Sequence, residues 1–240
     1  FFDVMTNLCL LTDQQVQDFI AYGYLQLSPP PSETDELGPT YHKDIFAAAL
    51  DLGIKADVLG NNILPAMPEL VHVFESQRVH GALTSLLGPG YVMHPHRFCH
   101  KSSPGRKAQQ WHRDSYWGHH RPRNHVPYWV MALYFPQDTP LELGPTGVLP
   151  CSQYYSYDTE DGPPATPFRC GQFSAADVAH GVPTAWHVRE HPLVCPAGTV
   201  VLIHYDLWHR GPANVSADGV RFMFKFQFCR MTSPTAAPRA

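Results

Sequence analysis

Val220-Arg221-Phe222-Met223-Phe224-Lys225-Phe226-Gln227-Phe228-Cys229 alternates between large apolar and mostly polar side chains. Successive residues of a strand point to opposite faces. Phe222, Phe224, Phe226 and Phe228 therefore share one face, and Arg221, Met223, Lys225 and Gln227 the other. An unbroken phenylalanine stripe requires an apolar layer against it, and the polar face then looks into a cavity. Working back from this strand, residues 91–99, 108–114, 126–135, 147–149 and 199–205 are also short and rich in aromatic or β-branched residues, as strands are. Residues 12–88 read differently. Thr12 with Gln15 is a capping-box pair, Val16, Phe19 and Ile20 form a helical stripe, and Gly23 ends that helix. A second helix is predicted over 43–52, closed by Gly53. A third is predicted over 68–87, stopped by Gly88-Pro89-Gly90. Helices followed by strands, without αβ alternation, predict an antiparallel barrel or sandwich backed by helices, and the helices are the natural partner of the Phe stripe.

A chain of 240 residues can bury one sizeable core, so a single domain over 1–240 is expected. The 24 prolines argue against a helical bundle and for short elements joined by ordered loops. A formal charge of −4 with 16% charged residues points away from nucleic acid as a partner. Cys9, Cys99, Cys151, Cys170, Cys195 and Cys229 form no C-x-x-C pair, which excludes common zinc knuckles and predicts reduced thiols in a cytoplasmic setting. No run of about 18 apolar residues exists to span a membrane, and Phe1-Phe2-Asp3-Val4 does not read as a signal peptide. Composition says nothing of oligomeric state. The aromatic-rich segment 154–192 is long for a loop and is expected to be an ordered lid, whereas the tail 231–240 is expected to be flexible.

The 15 histidines make metal chemistry worth seeking. In Trp111-His112-Arg113-Asp114, two ligand types stand two residues apart and, on a strand, face one way. His209 would complete two imidazoles and one carboxylate on one side of an ion. That arrangement leaves positions open for co-substrate and oxygen and is typical of non-heme Fe(II) oxygenases. Arg221, twelve residues past His209, is placed to hold the far carboxylate of an organic-acid co-substrate. A competitor exists, because His204-Tyr205-Asp206 is also His-x-Asp. Strand parity sets His204, Asp206 and Trp208 opposite Tyr205, Leu207 and His209, so one strand cannot present all of them to one ion unless a turn intervenes.

Four segments in order carry a resemblance to the phytanoyl-CoA dioxygenase family, within the wider 2-oxoglutarate oxygenases. These are Leu11-Thr12 through Gly23-Tyr24-Leu25, Trp111 to Asp114, Gly144 to Gln153, and Gly198 to Arg221 with Gly211, Asn214 and Ser216. The resemblance implies a double-stranded β-helix, a jelly-roll barrel of the cupin type, mainly β with N-terminal helices. It implies Fe(II), 2-oxoglutarate and O2, with succinate and CO2 released as a small-molecule substrate is hydroxylated, desaturated or cyclised. Carried over by position, His112, Asp114 and His209 hold the iron and Arg221 the far carboxylate of 2-oxoglutarate. Thr146, Gln110 and Lys101 are expected as further co-substrate contacts. Relatives that halogenate carry a small residue where Asp114 stands, so Asp114 favours oxidation without halide.

Two departures from the family pattern stand out. Gly211 replaces a serine that helps the arginine, leaving Ser216 or Tyr134 as candidate substitutes, and Pro150-Cys151-Ser152-Gln153 lacks the usual Gly and His. Tyr116, Trp117 and His119-His120-Arg121-Pro122-Arg123 are candidate substrate contacts, with Trp186 closing over the site. Nothing resembles a CoA-binding signature. The alternatives are a barrel hydrolase or isomerase using the same ligands without 2-oxoglutarate, and a non-catalytic binding protein; Arg221 argues against the first and the intact motif set against the second.

Overall fold

The computed structural model describes residues 9–30, 37–53, 62–114, 126–154 and 190–232. Helix α1 (Asp13–Tyr22) begins at the expected capping box, with the Gln15 amide N–H donating to the Thr12 hydroxyl and Gln15 closing back on the Thr12 N–H. It ends at Gly23, whose φ of 81° suits glycine. Strand β1 (Tyr24–Leu27) follows. Helix α2 (Gly38–Asp51) starts five residues before the expected point, because Pro39 lies in its first turn, where a missing N–H costs nothing. The expected third helix is broken. A 3-10 turn at Pro68–Leu70 leads into α3 (Val71–Glu75), the chain swings out at Ser76 (ψ 140°), and α4 (Gln77–Leu87) restarts there. Ser76 caps the restart by accepting from the Val79 N–H.

The remaining strands are β2 (Val92–Ser102), β3 (Trp129–Phe135), β4 (Gly147–Val148), β5 (His191–Pro192), β6 (Thr199–His204), β7 (His209–Arg210) and β8 (Arg221–Cys229). They form two antiparallel sheets, ordered β1-β6-β3-β8-β2 and β5-β4-β7. The large sheet runs antiparallel throughout, and β8 lies inside it between β3 and β2. Among the described residues no closed barrel is seen. The predicted strand at 108–114 is not regular either. It touches β7 through the single bridge His112↔His209, and Gln109 N–H donates separately to the Gly211 carbonyl.

The faces of β8 divide the core as its alternation requires. On one side, Phe222, Phe224, Phe226 and Phe228 join helical residues such as Phe19, Ile45, Leu70, Phe74 and Leu83 in one apolar cluster. Phe74 from α3 sits 4.2 Å from Phe226 between ring centroids, and Phe46 from α2 meets Phe222 edge-on at 5.5 Å. On the other side, Met223 joins Met131, Leu133, Phe135, Val148 and Leu193 in a second cluster between the sheets. No described helix is long and apolar enough to cross a membrane.

Candidate metal centre

The inter-sheet space opens at one end onto His112, Asp114 and His209. The bridge His112↔His209 exchanges two backbone hydrogen bonds of 3.0 Å, which puts both imidazoles on the same face. The flanking cross-strand neighbours point the other way, and both are arginine–tryptophan pairs. The Arg210 guanidinium lies 4.7 Å from the Trp111 ring, and that of Arg113 lies 5.1 Å from Trp208. Glu190 holds Arg210 by two charge-assisted bonds. The two histidines are thus braced from behind.

Each imidazole is also oriented through its far nitrogen. His112 Nδ1 donates to the Gln110 carbonyl at 2.8 Å and His209 Nδ1 to the Leu207 carbonyl at 3.0 Å. A proton held on Nδ1 leaves the Nε2 lone pair free to ligate. Both Nε2 atoms face Asp114, at 3.9 Å from Oδ1 for His112 and 3.7 Å from Oδ2 for His209. One ligand atom from each residue lies within 4.8 Å of the others, and this is the metal-competent group among the described residues. Burial works to raise the Asp114 carboxyl, but Lys225, His209 and His112 around it hold it well below the usual carboxylate range. Burial pushes the His209 imidazole down to about 4. Near neutral pH the site therefore offers the Asp114 carboxylate and a neutral His209 imidazole, and with His112 Nε2 beside them the residues present the donor set a first-row divalent ion needs and fit Fe(II).

Past the two histidines the same cavity holds Arg221, for which no acidic partner is found among the described residues. Arg221 is 3% exposed, and its Nε and Nη1 have no hydrogen-bond partner among the described residues. Burial, then the neighbouring Arg106, lower its pKa to about 10. A buried guanidinium with two idle donors is costly unless an anion arrives. A carboxylate of a diacid fits that demand, since the fork of an arginine matches it.

The other expected site residues fall as follows. Thr146 is buried and lines the cavity. Lys101 does not reach it, because the strand alternation turns it to the helix side, where its Nζ lies 5.8 Å over the Phe222 ring. Gln110 is exposed and contributes its backbone carbonyl to His112, while the side chain in the cavity belongs to Gln109, whose Oε1 accepts from the Gly211 N–H. Ser216 is occupied in a turn with Asn214 and Gly219, and the Tyr134 hydroxyl is 2.8 Å from His42 Nδ1 on the helix side. Neither candidate substitute for the family serine reaches Arg221. His204 ends β6, a turn at Tyr205-Asp206 intervenes, and His204 Nδ1 accepts from the Asp206 N–H, so the competing His-x-Asp closes on itself away from the triad. Tyr116, Trp117, His119, His120, Arg121, Arg123 and Trp186, with nearly all of the expected lid and the tail, lie outside the described residues. The sequence reading missed Lys225, Gln109, Arg106 and His100, all of which line the cavity. The alternation of β8 already placed Lys225 on the right face.

Fold and site together define a non-heme Fe(II) oxygenase that uses 2-oxoglutarate. The chain belongs to the phytanoyl-CoA dioxygenase (PhyH) family, whose sequence profile matches residues 39–223. Several solved structures share the fold. The carbocyclase SnoK from nogalamycin biosynthesis, described as α-ketoglutarate dependent, superposes with a TM-score of 0.63 at 19% identity, covering 91% of this chain and 84% of that one. HygX from Streptomyces hygroscopicus, with nickel and 2-oxoglutarate bound, gives 0.62 at 14% identity over 92% and 88%. The epimerase SnoN, also from nogalamycin biosynthesis, gives 0.65 at 15% identity over 94% and 86%. At such identities the likeness concerns the fold. No curated protein matches the chain in sequence.

Proposed function

We propose that the chain oxidises a small organic molecule by hydroxylation, desaturation or ring closure, converting 2-oxoglutarate to succinate and CO2. His112, Asp114 and His209 hold the iron, and Arg221 with Thr146 receives the far carboxylate of 2-oxoglutarate. Bound there with 2-oxoglutarate and O2, Fe(II) supplies a two-electron oxidant. The residues do the rest: the backbone carbonyls of Gln110 and Leu207 fix the ligating nitrogens, and Arg221 sets the register of the co-substrate. The observation that carries the reading is the idle, buried guanidinium of Arg221 in the same cavity as His112 and His209. It argues against a hydrolase or isomerase that works without 2-oxoglutarate.

The choice among outcomes stays within oxidation without halide, which the carboxylate of Asp114 supports. That SnoK is described as a carbocyclase supports keeping ring closure beside hydroxylation. Tyr116, Trp117, Arg121 and Trp186 are proposed as the substrate wall and lid. We read 1–240 as one domain whose two sheets belong to a double-stranded β-helix, supported by the single cluster joining helices and large sheet. The five described cysteines are all free, which supports a reducing, cytoplasmic setting. The test is anaerobic. Fe(II) and 2-oxoglutarate are added, the weak visible charge-transfer band is sought, and succinate is assayed after oxygen is admitted. Arg221→Ala, which removes charge-assisted bonds worth roughly 1.5–3 kcal/mol each, is expected to weaken 2-oxoglutarate binding more than tenfold. Absence of both band and succinate from the wild-type protein would overturn the reading.

A further inference from the structure

The last rung of the β2–β8 ladder pairs Ser102 with Arg221. Directly paired residues of antiparallel strands project to the same face with Cβ atoms about 4.5–5.5 Å apart. That face is the cavity side, since the preceding pair on it, His100 and Met223, lines the cavity. Ser102 is fully buried, and its Oγ has no hydrogen-bond partner among the described residues. Leaving a hydroxyl unmatched in the interior is unfavourable by about 1–3 kcal/mol, so an orphan of this kind calls for a missing acceptor. Its neighbour across the ladder is Arg221, a buried arginine with two idle donors. Two adjacent orphans, both able to donate and neither facing an acid among the described residues, describe one anion site.

The surroundings hold the Ser102 backbone in place. The Ser102 carbonyl accepts from Asn214 Nδ2 at 3.0 Å, and the Asn214 amide also reaches the Gly219 carbonyl at 2.9 Å, tying the end of β2 to the turn before β8. Gly211, just past β7, has no side chain to take over the role. A Cβ on Gly211 would stand 2.8 Å from Gln109 Oε1 and 3.7 Å from Arg221 Nη2, so the glutamine fills the place a longer residue there would need.

We propose that Ser102 is a co-substrate-binding residue whose hydroxyl donates to the far carboxylate of 2-oxoglutarate beside Arg221; this rests on the reading of Arg221 given above. The test titrates the Fe(II)-loaded protein anaerobically with 2-oxoglutarate and with 2-oxobutyrate, a 2-oxo acid without the far carboxylate, reading the charge-transfer band. Ser102→Ala is expected to weaken 2-oxoglutarate about tenfold, as for a lost hydrogen bond to a charged group. Affinity for 2-oxobutyrate and for Mn(II) alone stays as in the wild type. Ser102→Cys, nearly the same size with a weaker donor, falls between the two. Because the hydroxyl is unmatched in the unliganded protein, the melting temperature of Ser102→Ala is expected to stay level or rise. Equal affinities for 2-oxoglutarate in wild type and Ser102→Ala overturn the proposal, as does a marked drop in melting temperature with 2-oxoglutarate binding intact. A wild type that binds 2-oxobutyrate as tightly as 2-oxoglutarate overturns the role of Arg221 and this proposal with it.

Discussion

At the scale of single residues, the centre is governed by who competes for Asp114. Its Oδ2 accepts from Lys225 Nζ at 2.7 Å, in a pair whose side chains are both largely buried. A carboxylate pulled towards an ammonium has less to give a divalent ion, and a buried positive charge this close repels a second cation. Lys225→Met is therefore expected to tighten Mn(II) binding to the metal-free protein several-fold, measured by calorimetry near neutral pH. Looser binding would show that Lys225 holds the carboxylate in its ligating pose instead. The triad itself was legible from the sequence because ligand chemistry is confined to few residue types and the family motifs fixed their order. Gln109 was not. Gln110 was the expected co-substrate contact instead, and this segment has one isolated bridge and no regular ladder, so the period-two rule has little to act on in choosing between neighbours. Lys101 failed for the opposite reason: there the alternation is regular, and it sends Lys101 to the side of Phe222.

Among the elements, β8 does most to join fold to site. Its odd-numbered residues Arg221, Met223 and Lys225 line the cavity, and its even-numbered phenylalanines hold the helices against the sheet. Both halves could be read from ten residues, since a period of two needs no tertiary information. The break at Ser76 could not. Residues 68–87 keep a helical apolar stripe across it, and only the local backbone, with Ser76 serving as the cap of α4, reveals two helices. The division of labour on β8 has a measurable consequence. Phe226 is fully buried against Phe74, so Phe226→Ala should cost about 3–5 kcal/mol by cavity formation, seen as a lower urea midpoint. Phe74→Ala added to it should cost less than its separate effect, because the two rings share one contact. Mn(II) binding should survive in Phe226→Ala at low temperature, since the lost ring lies on the face away from the triad. Loss of the metal site alongside the stability would mean the two faces are not separable.

For the whole molecule, the arrangement of charge matters more than its total. A formal charge of −4 gives no hint that one cavity is lined by Arg106, Arg210, Arg221 and Lys225, of which Lys225 pairs with Asp114 and Arg210 with Glu190. Net composition averages over a surface, whereas the fold brings together residues as far apart in sequence as Arg106 and Lys225. The concentration of positive charge acts on the imidazoles nearby. Burial first, and then Lys225, Arg221 and Arg106, push His100 down to about 3; burial and Lys225 lower His96; burial takes His209 to about 4. In the unfolded chain such imidazoles titrate near 6.5. As pH falls below that value the unfolded chain takes up protons that the folded, metal-free protein refuses, so stability declines with falling pH by roughly 1.4 kcal/mol per pH unit for each fully shifted imidazole. The decline levels off only near pH 4 to 3, where the folded groups protonate too. Asp114 has no part in the upper range, because its unfolded carboxyl titrates near 3.8 and its contribution is lost below that. Urea midpoints of the metal-free protein at pH 7, 6, 5 and 4.5 should accordingly fall, and His100→Asn should flatten the slope between pH 6.5 and 4.5. Midpoints that hold steady across this interval would mean that these imidazoles keep ordinary pKa values in the fold, and that the cationic cavity is better solvated than its buried arginine implies.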